Sequence, residues 1–268
     1  MFRNKILPAW GILLLSMAFL FGCAGTEKRP SGPPLSDEDA VRIAHLIQEN
    51  QQQVSSFYAL GGASAGDWYG ESDADILVVG VRKPFRIKIE INHSWGQPLL
   101  HILIDGNRVK ALSFRENKFY HGTFTSQALS RFIPVRFDPD LIWGVLRGYP
   151  NLLPHERLKS LGSNQISLFT GKGEEVEIID LYDGEALPRW VTFPGRNMRV
   201  IYSKFHEEKG IPYAQRVKVA RLDGGKRFTL EYKRMVFNRA IPEDVFTIPK
   251  PPAVKVIDLD KAGVEETH

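Results

Sequence analysis

Residues 85–92 read FRIKIEIN, a stretch in which apolar residues alternate with charged or polar ones. Successive side chains of a β-strand point to opposite faces, so this two-residue period predicts a strand with one buried and one solvated face. Ile87, Ile89 and Ile91 share the buried face. A turn sequence, HSWGQP, follows at 93–98, and an apolar segment at 99–104 leads into the hairpin signal DGN. The stretch therefore predicts the beginning of an antiparallel sheet.

The same alternation recurs along the rest of the chain, at 165–169, 175–180, 189–193, 199–202, 215–222 and 227–233. Short turns separate these segments, which favours an antiparallel meander. Apolar residues at helical spacing predict an amphipathic helix over 36–54 and two short helices over 126–132 and 139–146. We therefore predict one mainly β domain with helices (α+β) over residues 36–250, a curved antiparallel sheet wrapped around the helices, followed by a C-terminal tail over 251–268.

The first 23 residues have the layout of a secretory signal. Arg3 and Lys5 precede an apolar run that is shorter than the roughly 20 residues of a membrane-spanning helix. The run ends in LFGC, which resembles the bacterial lipobox, where cleavage leaves an N-terminal cysteine that receives lipid. We expect a lipoprotein signal peptide over 1–22 and a lipidated flexible tether over 23–35, with Cys23 as the lipid attachment site. A signal anchor, or an ordinary signal peptide with a stray cysteine, are the alternatives.

Cys23 is the only cysteine of the chain, and its acylation would leave no thiol. Structural disulfides, cysteine-ligated zinc, iron–sulfur clusters and thiol catalysis are then excluded. Ala24 and Gly25 follow the cysteine in place of the Asp typical of inner-membrane retention, and this favours lipid anchoring at the periplasmic face of the outer membrane. The formal net charge is +4, but acidic and basic residues are interspersed, so we expect a mixed solvated surface and no nucleic-acid partner.

The sequence gives little indication of catalysis or of metal binding. The histidines form no HExxH motif, and no P-loop or GxGxxG unit occurs; GASAG at 62–66 has the GxSxG spacing, which could suggest a nucleophilic serine. Ser64 lies in a run of small residues, GASAG, which is typical of a strand that bends or packs closely. Glu174, Glu175 and Glu177 suggest a solvated hairpin tip, with a calcium site as the alternative. We therefore expect a protein that is not an enzyme and holds no metal or cofactor.

The order of these segments resembles the LolA/LolB superfamily, and most of all the outer-membrane lipoprotein receptor LolB. The resemblance rests on residues 85–92 with the following turn, strand and hairpin, on 141–150 (LIWGVLRGYP), and on FTIP at 246–249. It implies an incomplete antiparallel β-barrel covered by helices, whose apolar cavity holds the acyl chains of lipoproteins or lipids received from a periplasmic carrier of LolA type. It also implies a membrane-contact loop with an exposed apolar residue, which here is Trp95. An aromatic folded back on the sheet is the alternative for Trp95.

Acyl-chain cavity candidates are the apolar residues that we expect to face inward: Ile87, Ile89, Ile91, Ile102, Ile104, Trp143, Val217, Val219, Phe228 and Leu230. A one-residue error in register would reverse a strand. The tail after residue 250 departs from the receptor pattern. Two other functions therefore stay open, an accessory envelope lipoprotein that acts through protein contacts and a hydrolase with an unrecognised site.

Overall fold

The computed structural model describes residues 33–67, 70–133, 139–162, 164–183 and 185–262. The expected signal peptide, Cys23 and the tether up to residue 32 lie outside the described residues, as do 263–268. Within the described part, the prediction of an antiparallel sheet with few helices is confirmed.

Fourteen strands form one sheet. They are β1 Ser56–Asp67, β2 Gly70–Val81, β3 Arg86–Asn92, β4 Pro98–Asp105, β5 Arg108–Ser113, β6 Lys118–Thr123, β7 Arg157–Gly162, β8 Gln165–Phe169, β9 Glu175–Leu181, β10 Pro188–Phe193, β11 Met198–Glu208, β12 Ile211–Arg221, β13 Arg227–Phe237 and β14 Lys255–Asp258. Their order is β14-β6-β5-β4-β3-β2-β1-β13-β12-β11-β10-β9-β8-β7. The described sheet is curved and unclosed, with β14 and β7 as its two edges.

The FRIKIEIN stretch forms β3, and its register agrees with the alternating pattern. Ile87 lies opposite Ile104, and Ile89 lies opposite Ile102, across the antiparallel pair with β4. All four side chains are buried, while the charged residues between them are only partly covered. The strand therefore builds one wall of the core with its isoleucine face.

The two halves of the sheet meet where β1 pairs with β13. A register shift lies between Leu60 and Gly61, where the strand bends. A Cβ on Gly61 would lie 2.2 Å from the carbonyl oxygen of Glu231, so only glycine permits this close approach. The bend and the close approach thus lie at Gly61, directly before the GASAG run, whereas a Cβ on Gly62 would make only an ordinary contact of 3.7 Å.

Helices fill the hollow of the sheet: α1 Asp37–Gln52, α2 Ser126–Ser130 and α3 Pro139–Leu146. The Ser36 hydroxyl accepts a hydrogen bond from the Asp39 amide (3.1 Å) and so caps α1 as expected. At the other end of α1, Arg147 and Arg82 donate to the carbonyl oxygens of Asn50 (2.9 Å) and Gln51 (2.6 Å). Guanidinium groups from elsewhere in the chain thus stabilise the negative end of the helix.

The end of the chain differs from the expected tail. After β13, Phe246 packs with Val79 and Leu103 on the other face of the sheet from the helices. Residues 255–258 then form β14, which pairs with β6 and is the one parallel neighbour in the described sheet. Helix α4, Leu259–Ala262, follows, and Asp260 accepts a hydrogen bond from the Thr123 amide (2.7 Å). Residues 251–262 therefore belong to the domain.

Candidate functional site

An apolar cavity of about 640 Å³ lies between the sheet and the helices. Its walls come from β1 to β4, from β13, from α3 and from residues 132–133, and most lining residues are aliphatic or aromatic. They are Ala63, Ser64, Ala65, Asp73, Ala74, Ile76, Val78, Ile89, Ile91, His93, Gln97, Pro98, Leu99, Ile102, Phe114, Arg115, Phe132, Ile133, Ile142, Val145, Leu146, Phe228 and Leu230. A cavity of this size and lining is typical of a site for an apolar small molecule.

Small side chains on β1 leave this space open. Ala63 lies opposite Leu230, and Ala65 lies opposite Phe228, on the neighbouring strand β13. Ile142 and Val145 of α3 line the same space from the helix side. Larger residues at the two alanine positions would project into the cavity, so the small side chains of the GASAG run keep this space open.

Half of the residues predicted to line a cavity do so. These are Ile89, Ile91, Ile102, Phe228 and Leu230. The other five are buried in the core without lining this cavity: Ile87, Ile104, Trp143, Val217 and Val219. All ten therefore face inward or lie in the core, but only five lie at the end of the strands where the cavity is.

The residues that line the cavity and those that do not differ in their position along the strands. Ile87 and Ile104 pair near the other end of β3. Trp143 is 3% exposed, and its ring packs edge-on against Phe57 at 5.0 Å between centroids. This aromatic contact fills the core near the end of the sheet where β1 begins, so the cavity is confined to the end where β3 finishes.

The cavity mouth is polar. Asp73, His93, Gln97 and Arg115 line it together with the apolar wall. Residues of this kind at the rim of an apolar site can bind the polar end of an amphipathic ligand. The sequence does not predict that these four residues lie together, because they come from three separate turns and strand ends.

Trp95 lies in the β3–β4 turn at this mouth and is 71% exposed. The turn is held by hydrogen bonds from the His93 amide to the Gln97 carbonyl (2.8 Å) and from the Gly96 amide to the His93 carbonyl (2.7 Å). The indole stacks on the His93 ring at 4.1 Å, with 7° between the planes. Trp95 is thus not folded back on the sheet: it presents an apolar face to solvent beside a residue that lines the cavity.

His101 and His121 lie in the same half of the sheet but not side by side. His101 is on β4 and His121 on β6, and β5 separates the two strands. Burial lowers the pKa of His101, whose ring packs against Phe114. Among the described residues, no three His, Cys, Asp or Glu side chains are close enough to hold a metal ion.

A buried carboxyl group corrects the interpretation of the acidic cluster. Glu174 is exposed, but Glu177 is fully buried, so it cannot belong to a solvated hairpin tip. One of its oxygens accepts a hydrogen bond from the Leu153 amide (2.8 Å), and the other has no partner among the described residues. Burial raises the pKa of Glu177 to about 8, which makes it neutral at pH 7.

A buried cation lies at the end of α3. Arg147 has no exposed surface, and its guanidinium packs against the rings of Tyr149 (4.8 Å) and Phe237 (5.8 Å). Burial lowers the pKa of Arg147 to about 10, so the group keeps its charge at neutral pH. Its hydrogen bond to the end of α1 gives Arg147 a structural role. In the sequence, an arginine among the mostly apolar residues of LIWGVLRGYP is the feature that could have indicated this role.

Comparison with solved structures places this fold among known ones. A DUF1329 family protein from Desulfovibrio piger matches with a TM-score of 0.53 at 10% identity, over 81% of this chain and 98% of that one. A proposed outer membrane lipoprotein-sorting protein domain from Vibrio parahaemolyticus matches with a TM-score of 0.53 at 11% identity, over 78% and 97%. A LolA superfamily protein from Nitrosomonas europaea matches with a TM-score of 0.50 at 15% identity, over 76% and 97%.

These matches confirm the fold expected from the LolA/LolB resemblance, and at such low identity they show the fold alone. No family model matches the sequence, and no curated protein matches it. A particular closeness to LolB is not shown by the neighbours. In the described part of the chain, no helix is both long and apolar enough to cross a membrane.

Proposed function

We propose that this chain is a lipoprotein, anchored through Cys23 at the periplasmic face of the outer membrane, that binds acyl chains in its cavity. In this role it receives lipid or lipoproteins from a periplasmic carrier of LolA type and delivers them to the membrane, without covalent chemistry. The observation that carries the proposal is the apolar cavity of about 640 Å³ whose mouth presents an exposed tryptophan.

The size of the cavity suggests its occupant. At about 30 Å³ per methylene group, roughly the share of one water molecule in the liquid, a volume of about 640 Å³ holds one long acyl chain. A fatty acid, a lysophospholipid or one chain of a larger lipid therefore fits the cavity as it stands. The three chains of a triacylated lipoprotein would need the unclosed sheet to spread, which the absence of hydrogen bonds between its described edges allows.

The energetics permit an acyl chain to move between the membrane and the cavity. Burial of an acyl chain stabilises it by about 0.8 kcal/mol per CH₂, whether the surroundings are a membrane or a protein cavity. The chain can therefore move between the two with a small net change in free energy, provided that the mouth meets the bilayer. Trp95 suits that contact, because tryptophan is enriched at membrane interfaces.

Native mass spectrometry of the full chain, released from a neutral detergent, tests the binding. We expect a co-purifying mass equal to one lipid with a single chain inside the cavity, and uptake of added palmitate to one equivalent. Repeated ligand-free preparations that also take up no palmitate would contradict the proposal and favour an accessory lipoprotein that acts through protein contacts.

Replacing Trp95 with glutamate separates binding from delivery. The exposed side chain contributes little to the core, so we expect the free energy of unfolding to change by no more than about 0.5 kcal/mol. Uptake of palmitate should be normal, while release of the bound chain into liposomes should slow, because a charge now lies where apolar contact is needed.

The matched control is Leu161→Glu, which adds the same charge at an exposed apolar residue of the far edge strand β7. Release measured by fluorescence of a labelled fatty acid should be unchanged in this control. Equal release from the Trp95→Glu and native proteins would show that the turn does not contact the membrane.

A further inference from the structure

A second depression, of about 750 Å³, lies at the opposite end of the sheet. We call it the basic groove and define it by Arg82, Lys83, Arg86 and Arg239, which line it with Glu243 as the only carboxylate in its lining. Arg86 begins β3 at the groove, and Ile91 near the end of β3 lines the apolar cavity. At about 3.3 Å per residue, the two sites lie roughly 17 Å apart along this strand.

The single carboxylate is already engaged. Glu243 accepts hydrogen bonds from both terminal nitrogens of Arg86, at 2.8 Å for Nη2 to Oε1. The Arg86 guanidinium also lies over the ring of Phe246 at 4.6 Å. Glu243 and Arg86 thus neutralise each other, and the remaining lining has a net positive charge.

Arg82 is the fixed cation of the groove. It is half-buried, and its Nη1 donates to the Gln51 carbonyl oxygen (2.6 Å), which holds the guanidinium in place. A guanidinium has five N–H donors, and this hydrogen bond engages one of them; the group also lies 6.0 Å from the centre of the Trp143 ring. Among the described residues, no carboxylate forms an ion pair with Arg82, Lys83 or Arg239. Lys83 and Arg239 are exposed.

We propose that the basic groove binds a phosphate-bearing anion. Arg82 presents a prepositioned guanidinium, which matches the geometry of phosphate oxygens, and Lys83 and Arg239 add point charges on either side. Three cations without acidic partners fit a phosphate group better than a single carboxylate, because a phosphate offers more acceptor oxygens.

Two sources share this chemistry, the phosphate of an anionic phospholipid headgroup and free phosphate. If the source is a headgroup, binding holds this end of the sheet against a membrane surface and turns the cavity mouth away from it. The chain would then have a docked orientation in which Trp95 cannot reach that bilayer. The site and its test do not depend on the acyl cavity.

The experiment is isothermal titration calorimetry of the full chain in neutral detergent micelles with two soluble probes. One is inorganic phosphate, and the other is glycerophosphoglycerol, the deacylated headgroup of phosphatidylglycerol, which has no acyl chain to enter the apolar cavity. We expect saturable binding that weakens as ionic strength rises.

The variant is Lys83→Glu with Arg239→Glu, which leaves Arg82 and its bond to α1 intact. We expect about a tenfold or greater loss of affinity, since two attractive charges become repulsive. The matched control is Lys110→Glu with Lys172→Glu, an equal charge change at exposed lysines outside the groove, and it should bind nearly as the native chain does. Circular dichroism checks that both variants are folded.

Each outcome decides between the sources or against the site. Tighter binding of glycerophosphoglycerol than of phosphate, lost only in the groove variant, supports a headgroup. Equal or tighter binding of inorganic phosphate, lost only in the groove variant, supports free phosphate. No heat of binding from either probe, or an equal loss of affinity in both variants, overturns the proposal.

Discussion

Replacing Ala63 and Ala65 with phenylalanine is expected to abolish acyl-chain binding while the domain stays folded. Both alanines line the cavity, so two phenyl rings at these positions would enter open space and take the place of the ligand. Each methylene group that the rings displace costs about 0.8 kcal/mol, so displacing only two weakens binding about tenfold. Uptake of palmitate measured by native mass spectrometry should fall below detection.

Thr229→Phe is the control for this pair. Thr229 is on β13 between Phe228 and Leu230, both of which line the cavity, and therefore points to the other face of the sheet. The control adds a ring of the same size on a neighbouring strand but outside the cavity, so uptake should be normal. Full palmitate uptake by a folded Ala63→Phe, Ala65→Phe variant would mean that the chain binds elsewhere.

Replacing Glu177 with glutamine is expected to raise stability most at alkaline pH. The folded protein keeps a proton on Glu177 up to about pH 8, whereas the unfolded chain releases it near pH 4.5. Folding therefore takes up a proton between these values, and the free energy of unfolding falls as pH rises, by up to about 1.4 kcal/mol per pH unit. Glutamine does not titrate, so the gain at pH 8 should be on the order of 4 kcal/mol.

Urea unfolding from pH 4 to pH 9 measures this difference. Near pH 4 the native protein and Glu177→Gln should be similarly stable, because the carboxyl is then protonated in both the folded and the unfolded chain. Glu174→Gln, at an exposed residue of the same hairpin, should follow the native curve throughout. A pH dependence of Glu177→Gln that is identical to the native one would show that Glu177 is ionised in the folded protein.

The sequence predicts which face of a strand is buried better than it predicts what that face surrounds. The period of FRIKIEIN identifies Ile87 and Ile89 as inward neighbours, but one lies in packed core and the other lines the cavity. The difference depends on which helix residue lies opposite, and that contact joins segments far apart in the chain. The cavity therefore follows from tertiary packing, which a local pattern does not contain.

The sequence patterns of Glu177 and of residues 255–258 were misinterpreted, and each error has a local cause. In β9, the adjacent apolar residues Ile178 and Ile179 interrupt the alternation, which hid the inward position of Glu177. β14 has only four residues, and its partner β6 is remote in sequence, so residues 255–258 show no period of their own. By contrast, α1 was predicted closely, because its cap and its apolar face are encoded within one continuous segment.

The pairing of β1 with β13 has a consequence for the order of folding. β1 to β6 are neighbours in the sheet in the order in which they occur in the chain, but β13, the other partner of β1, is the last strand but one. Contacts between such distant segments form slowly, and until then β1 presents an unpaired edge to other chains. The pairing of β1 with β13 in the middle of the sheet therefore forms late, and the edge of β1 needs protection until β13 is available.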